Sequence, residues 1–307
     1  MGVETATMKG EGKLKSYEIT DAVRVKDFSK GATKLDLWIP FLTDDAYQRV
    51  LDTQVVAPIP LTVSYDPDYG NAILHLEKSK PKEVIDVTVT YRVQKQMPNL
   101  DLDPQKAGRM EGQREPFHLY LRSERHVRVE EDTKKLATKV VKGEKNPLLQ
   151  AKLIYDFVRE KMQYDAEKQS WVGSTEHAIT CSVGNCNDIH ALFISLCRSL
   201  GIPSRLVMGF ALEAPSPETC EICGYHCWVE FYIPNLGWIP ADDSCDCKYG
   251  VHHFGTLELN HIAFSRGREI LLNPPQKGDR LLFFASAYAE VNDMKHPVER
   301  HLTFREL

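Results

Sequence analysis

The sequence predicts an α+β protein, with an N-terminal β-sandwich followed by a region in which helices pack on an antiparallel sheet. Three patterns carry that prediction. From about Leu14 to Gln96 apolar residues alternate with polar ones, most clearly through Ile85-Asp86-Val87-Thr88-Val89-Thr90-Tyr91-Arg92-Val93. That period belongs to strands with one buried face. From Asp132 onward apolar residues recur at helical spacing. After Gly224, two aromatic-rich runs flank Pro234-Asn235-Leu236-Gly237, the pattern of a β-hairpin.

Taken in order, the elements support two domains. Leu35, Leu37 and Ile39 repeat the strand period, and Asp66-Pro67-Asp68-Tyr69-Gly70-Asn71 and Lys80-Pro81-Lys82 supply turns at strand spacing. Pro98 to Glu115 is polar and reads as a linker. Helices follow over Asp132 to Val141 and from Asn146-Pro147 to Met162, with Asn146 as N-cap and Pro147 at the first helical position. Tyr164 to Cys181 reads as a loop, with Trp171 an aromatic at its rim. Beyond the hairpin, Thr256 to Phe264, Glu269 to Leu272 and Leu281 to Phe284 are expected to complete the sheet. The expected organisation is a flexible N-terminus (1–15), a β-sandwich with linker (16–115), a catalytic domain (116–291) and a loosely held tail (292–307).

Composition excludes some functions. The net charge is −5, and the basic residues are scattered, so nucleic acid is not an expected partner. No apolar run approaches the roughly 18 residues of a membrane span. Met1 to Ser16 lacks the apolar core of a secretory signal, so the chain as written is expected in the cytoplasm. A chain trimmed of its leader and exported would read the same.

Chemistry concentrates at Gly184-Asn185-Cys186-Asn187-Asp188. Ile189, Leu192, Phe193, Leu196 and Leu200 follow at helical spacing, and Gly201-Ile202-Pro203 ends the helix, which places Cys186 at its N-terminus. Unpaired amides and the positive end of the macrodipole favour thiolate there and can hold an oxyanion. Cys186 is therefore the candidate nucleophile. The hairpin return is expected to bring His226 near Asp242, giving a base and a carboxylate to fix its tautomer. Asp243 competes as the carboxylate, and His190, one turn after Cys186, competes as the base or supports the site.

Gly-Asn-Cys-Asn-Asp-Ile-His, His-Cys-Trp-Val-Glu-Phe-Tyr and Gly-Trp-Ile-Pro-Ala-Asp, in this order, resemble the transglutaminase-like superfamily, from about residue 131 to Glu290. The resemblance implies a papain-like core, with Cys186, His226 and Asp242 matching the family triad and Trp171 the nearest residue to an auxiliary oxyanion donor. It implies acyl transfer on amide or peptide bonds of a protein or peptide through a thioester, by hydrolysis or crosslinking, with no cofactor for catalysis. Because some members have lost catalysis, a silent binding or scaffold module is the other expectation.

Cys220, Cys223, Cys245 and Cys247 depart from the family motif. An alignment of His226 with Asp242 across the hairpin would also pair Cys223 with Cys245 and bring Cys220 near Cys247. Four converging thiolates suit a structural zinc ion; disulfides and free thiols are the alternatives. Cys181, Cys197 and Cys227 are expected to be packing residues.

Overall fold

The computed structural model describes residues 13–98, 100–110, 115–212 and 218–307, so most of the expected flexible N-terminus lies outside the described residues. Six strands come first: β1 (Leu14–Val25), β2 (Lys34–Pro40), β3 (Gln48–Val56), β4 (Thr62–Tyr65), β5 (Ala72–Ser79) and β6 (Ile85–Gln96). Next come helices α1 (Glu131–Val141) and α2 (Pro147–Lys161), strand β7 (Gln163–Tyr164), α3 (Thr175–Cys181), β8 (Val183–Gly184) and α4 (Cys186–Ser199). The chain continues through β9 (Ser204–Ala211), β10 (Cys220–Glu221), the hairpin β11 (His226–Ile233) and β12 (Gly237–Ala241), and α5 (Asp243–Tyr249). It closes with β13 (His261–Arg266), β14 (Tyr288–Val291), β15 (Met294–His296) and β16 (Glu299–Glu306).

Two compact units result, one of residues 1–97, 208–225 and 258–307, the other of 98–207 and 226–257. The first is a sandwich with sheet orders β10-β16-β1-β6-β3 and β15-β14-β2-β5-β4. Alternation puts Tyr17, Ile19 and Val23 of β1 and Val87, Val89, Tyr91 and Val93 of β6 into one core with Leu35, Leu37 and Ile39 of β2. The expected tail is instead a structural strand. β16 pairs with β1 from Tyr17 opposite Glu306 to Arg24 opposite Glu299. Arg300 donates Nε to Oδ1 of the buried Asp21 at 2.7 Å. Only Leu302 and Phe304 of β16 are buried apolar residues, so its period two is masked by charge. Residues 258–291, expected in the catalytic domain, also belong to the first unit, where β14 pairs with β2. The two segments expected as strands after β13 pair through an Ile270–Leu281 bridge, with Glu269 N also donating to Leu282 O at 3.3 Å.

The second unit is built around α4, against which α1, α2, α3, α5 and β11 pack. Every residue of α4 from Cys186 to Arg198 is buried, so the helix is enclosed rather than one-faced. Its polar residues are buried because each meets a partner. Arg198 donates to Ser204 O at 3.0 Å and Arg122 O at 2.8 Å and reaches Glu124 Oε1 at 3.2 Å, while Ser195 Oγ donates to Arg128 O. Asn146 caps α2 as expected, its side chain accepting from Leu148 N and Leu149 N. Part of the expected loop before α4 is helical: Ser174 accepts from His177 N and starts α3. Among the described residues no helix is long and apolar enough to cross a membrane, which says nothing of β-barrels.

Candidate active site

Cys186 is the first residue of α4, and Asn185 caps the helix by accepting from Asn187 N at 3.0 Å. Gly184 is needed for a reason other than a turn. It lies in β8, and a Cβ there would come within 2.6 Å of the Asp188 side chain. Asp188, fully buried in the first turn of α4, accepts from Ser170 N at 3.0 Å, from Ser174 N at 2.9 Å and from Ser170 Oγ. This carboxylate ties residues 170–174 to the nucleophile's helix. The sequence contained the residue but offered no local signal of its partners. Trp171 sits in that segment, 75% exposed and left-handed at φ 66°. So open a position suits a rim aromatic and not an oxyanion donor.

The hairpin forms, although its register is not the expected one. Val229 faces Ala241, two residues away from the alignment that would pair His226 with Asp242. The strand ends at Ala241, and Asp242 becomes the N-cap of α5. His226 and Asp242 still meet, at 2.7 Å between Nε2 and Oδ2. The other carboxylate oxygen, Oδ1, accepts from Ser244 N and Cys245 N, both at 3.0 Å, and from Ser244 Oγ at 2.7 Å. Asp242 is fully buried, and His226 lies near enough to Cys186 for each group to shift the other's titration. An Nε2 proton aimed at a carboxylate leaves Nδ1 as the nitrogen able to take a proton from sulfur.

Asp243 is not the orienting group. Its carboxyl oxygens are buried without hydrogen-bond partners. Burial, reinforced by Asp242 and Asp246, holds it well above the usual carboxylate range. His190 has a supporting position. Its Nε2 is 3.3 Å from Asp242 Oδ1, close enough for an ion pair yet not aligned as a hydrogen bond, and its Nδ1 is 3.5 Å from Cys227 Sγ. Cys227, expected only to pack, also donates to Asn187 Oδ1 at 3.5 Å.

These contacts polarise the pair. A hydrogen bond from Cys227, opposed by burial and aided by His226 and the His190 charge, holds Cys186 well below the usual thiol value. Burial presses His226 down, but Asp242 and the thiols of Cys186 and Cys245 outweigh it and hold the imidazole well above 6.5. Both directions favour the thiolate–imidazolium pair over the neutral one.

The hairpin pairing expected to gather the four cysteines does not extend to Cys245 and Cys247, which lie on α5, where residues two apart point to different sides. Burial raises their thiols to about 11 and about 12. Cys220 Sγ donates to Glu218 O at 3.7 Å. Ligand atoms of His226, Asp242 and Cys245 do lie within 4.8 Å of one another, but they already hydrogen-bond among themselves.

Residues 134–243, which include Cys186, His226 and Asp242, match the model of the Transglutaminase-like superfamily. An uncharacterised protein of Haemophilus influenzae is 26% identical over 321 aligned positions, covering 90% of this chain and 85% of the relative. The crystal structure of a Cytophaga hutchinsonii protein, itself proposed to be a cysteine protease, superposes with TM-score 0.62 at 19% identity, covering 94% of this chain and 90% of the other. The periplasmic domain of TgpA from Pseudomonas aeruginosa overlaps at TM-score 0.39 and 15% identity, covering 76% and 91%. The fold likeness to the Cytophaga protein extends beyond residues 134–243 over most of the chain.

Proposed function

We propose that the protein is a cysteine-dependent hydrolase of amide or peptide bonds. The observation that supports it is His226 Nε2 lying 2.7 Å from Oδ2 of the buried Asp242, with Cys186, whose titration that imidazole shifts, at the start of α4. In this reading the Cys186 thiolate attacks the carbonyl carbon and pushes its electron pair onto oxygen. The Asn187 amide is committed to the cap, so the Cys186 amide is the donor for that oxyanion. Collapse expels the amine, which takes the proton from His226 and leaves a thioester. Water then gives a proton to His226 and its oxygen to the carbonyl, and Cys186 departs as thiolate. Hydrolysis is preferred to crosslinking because water needs no second binding site.

A silent binding module is the second reading, favoured by the low exposure of Cys186, 4%. Iodoacetamide labelling across pH separates the two. An enzyme's paired thiolate reacts well below pH 8.5, whereas an ordinary thiol does not. Cys186→Ala should abolish both that labelling and amidase activity on peptide and glutamine substrates. Undiminished activity in this variant would falsify the assignment.

A further inference from the structure

Three ligating side chains of different chemistry meet at the orienting carboxylate. His226 Nε2 lies 2.7 Å from Asp242 Oδ2 and 3.7 Å from Cys245 Sγ. One ligand atom from each of the three lies within 4.8 Å of the others. We propose that His226, Asp242 and Cys245 form an inhibitory site for zinc, which fills when the ion is added and takes the base out of use. The inhibition rests on the hydrolase reading above; the binding does not. Asp242 is fully buried, but the His226 side chain is 15% exposed and Cys245 is half-buried, which gives the ion a way in.

A ring nitrogen, a carboxylate oxygen and a thiolate form a donor set that suits zinc, whereas magnesium and calcium prefer oxygen alone. Around one tetrahedral zinc such donors stand roughly 3.3–3.6 Å apart. The Nε2–Sγ pair is already near that spacing, and the Nε2–Oδ2 pair reaches it by opening roughly half an ångström. The three are now joined by protons, and the ion replaces them. One proton leaves Nε2 and a second leaves the Cys245 thiol, and the freed lone pairs, with one on Asp242 Oδ2, take the ion. Asp242 keeps its place, because Oδ1 still accepts from Ser244 N and Cys245 N, both at 3.0 Å. Two displaced protons work against the ion, so it is removed by chelator and returns on addition. With Nε2 on zinc the imidazole is neutral, and its remaining proton sits on Nδ1. Neutral imidazole holds that proton far more tightly than imidazolium does, so a departing amine does not receive it. The same nitrogen, already occupied, takes no proton from water. Both transfers asked of His226 therefore stop.

The test uses the full chain, freed of metal by chelator, as wild type, C245S, C245A and C186A. Cobalt serves as a coloured stand-in for zinc, since a thiolate ligand gives a charge-transfer band in the near ultraviolet. Calorimetry should show about one zinc per chain. Cobalt should give the thiolate band in wild type and in C186A, but not in C245S or C245A. Loss of even an outer-shell partner weakens a metal site about 10–100-fold, so both Cys245 variants should bind zinc at least about tenfold more weakly. Zinc should suppress wild-type amidase activity on peptide and glutamine substrates, excess chelator should restore it, and magnesium should leave it unchanged. Each Cys245 variant, measured against its own zinc-free rate, should need at least about ten times more zinc for the same suppression. A band kept in C245S and lost in C186A puts the ion on the nucleophile and overturns the site, as does a wild type that binds no zinc. Equal zinc sensitivity in wild type and C245S, or activity raised by zinc, overturns the inhibition. A chelator-treated wild type without amidase activity overturns the hydrolase reading, and the cobalt band then decides the site by itself. Thermal melts of each variant confirm that folded protein is compared, and C245A carries the test should C245S not fold.

Discussion

Asp188→Ala should cost more stability than any change at the triad. The carboxylate accepts two backbone amides, Ser170 N at 3.0 Å and Ser174 N at 2.9 Å, and the Ser170 hydroxyl. A hydrogen bond to a charged group contributes about 1.5–3 kcal/mol. The hydroxyl can turn to water, so the loss is taken from the two amides, roughly 3–6 kcal/mol, with about 0.5 kcal/mol more from a first-turn acid on the helix dipole. Against a net stability of about 5–15 kcal/mol, that is roughly a quarter or more of the total. Asp188→Asn retains one acceptor oxygen and should lose about half as much. Urea unfolding followed by far-UV circular dichroism measures both, and limited proteolysis should show cleavage near residues 165–174 in the alanine variant first. A loss below about 1 kcal/mol in Asp188→Ala would refute the claim that this carboxylate holds the segment.

Trp171→Gly should leave the urea midpoint unchanged or raised, because a left-handed residue costs about 1–2 kcal/mol that glycine does not incur, offset by about 0.5–1 kcal/mol of chain entropy. A clear fall in midpoint would show that the exposed ring packs on something. Asp243→Asn should be more stable than wild type at pH 8 and nearly equal to it at pH 4. The sign follows from the raised carboxyl: the buried acid is comfortable with its proton below the unfolded value of about 3.9, and stability is lost as pH climbs toward the folded value. Each unit of that shift is about 1.4 kcal/mol, and a gain independent of pH would count against the mechanism. Protein purified without chelator should carry less than about half an equivalent of zinc, since Cys245 and Cys247 diverge on α5. A full equivalent, lost together with four protected thiols, would reinstate the metal clamp.

What the sequence made legible was local. Cys186 at a helix start, the Asn146 cap and the hairpin all announce themselves within a few residues through caps, turns and periodicity. What it concealed was long-range pairing. β16 lies beside β1 although nearly the whole chain separates them, and its charged outward face gave no hint of a structural strand. The enclosure of α4 was concealed likewise, because Arg198 and Asp188 read as surface residues until Glu124 and Ser170 are brought to them by the fold. Cys227 was passed over because a cysteine inside an apolar strand is ordinarily a packing residue. Only the approach of α4 to β11 brings its thiol to His190 Nδ1 and Asn187 Oδ1, each at 3.5 Å.

The misjudged register at Asp242 explains how the site is kept in order. A carboxylate at the end of a strand has one neighbour to orient, but Asp242 divides its oxygens between two tasks. Oδ2 orients His226, while Oδ1 starts α5 by accepting Ser244 N and Cys245 N. Helix α5 is in turn held by Asp246, which accepts from Tyr155 OH on α2 and from His253 N at 3.1 Å. The side chain that fixes the base is therefore clamped from both ends of a short helix. A strand terminus would leave its χ angles free to wander, and the roughly half-ångström tolerance of a proton-transfer site would be lost. Asn in place of Asp242 could keep the cap with its carbonyl oxygen, but its amide would then offer a donor to Nε2 where an acceptor is required. The ring would be driven toward the tautomer with its proton on Nδ1, and that nitrogen could no longer accept the thiol proton. The cap therefore demands an oxygen and the base demands a second one, and at this position only a carboxylate supplies both.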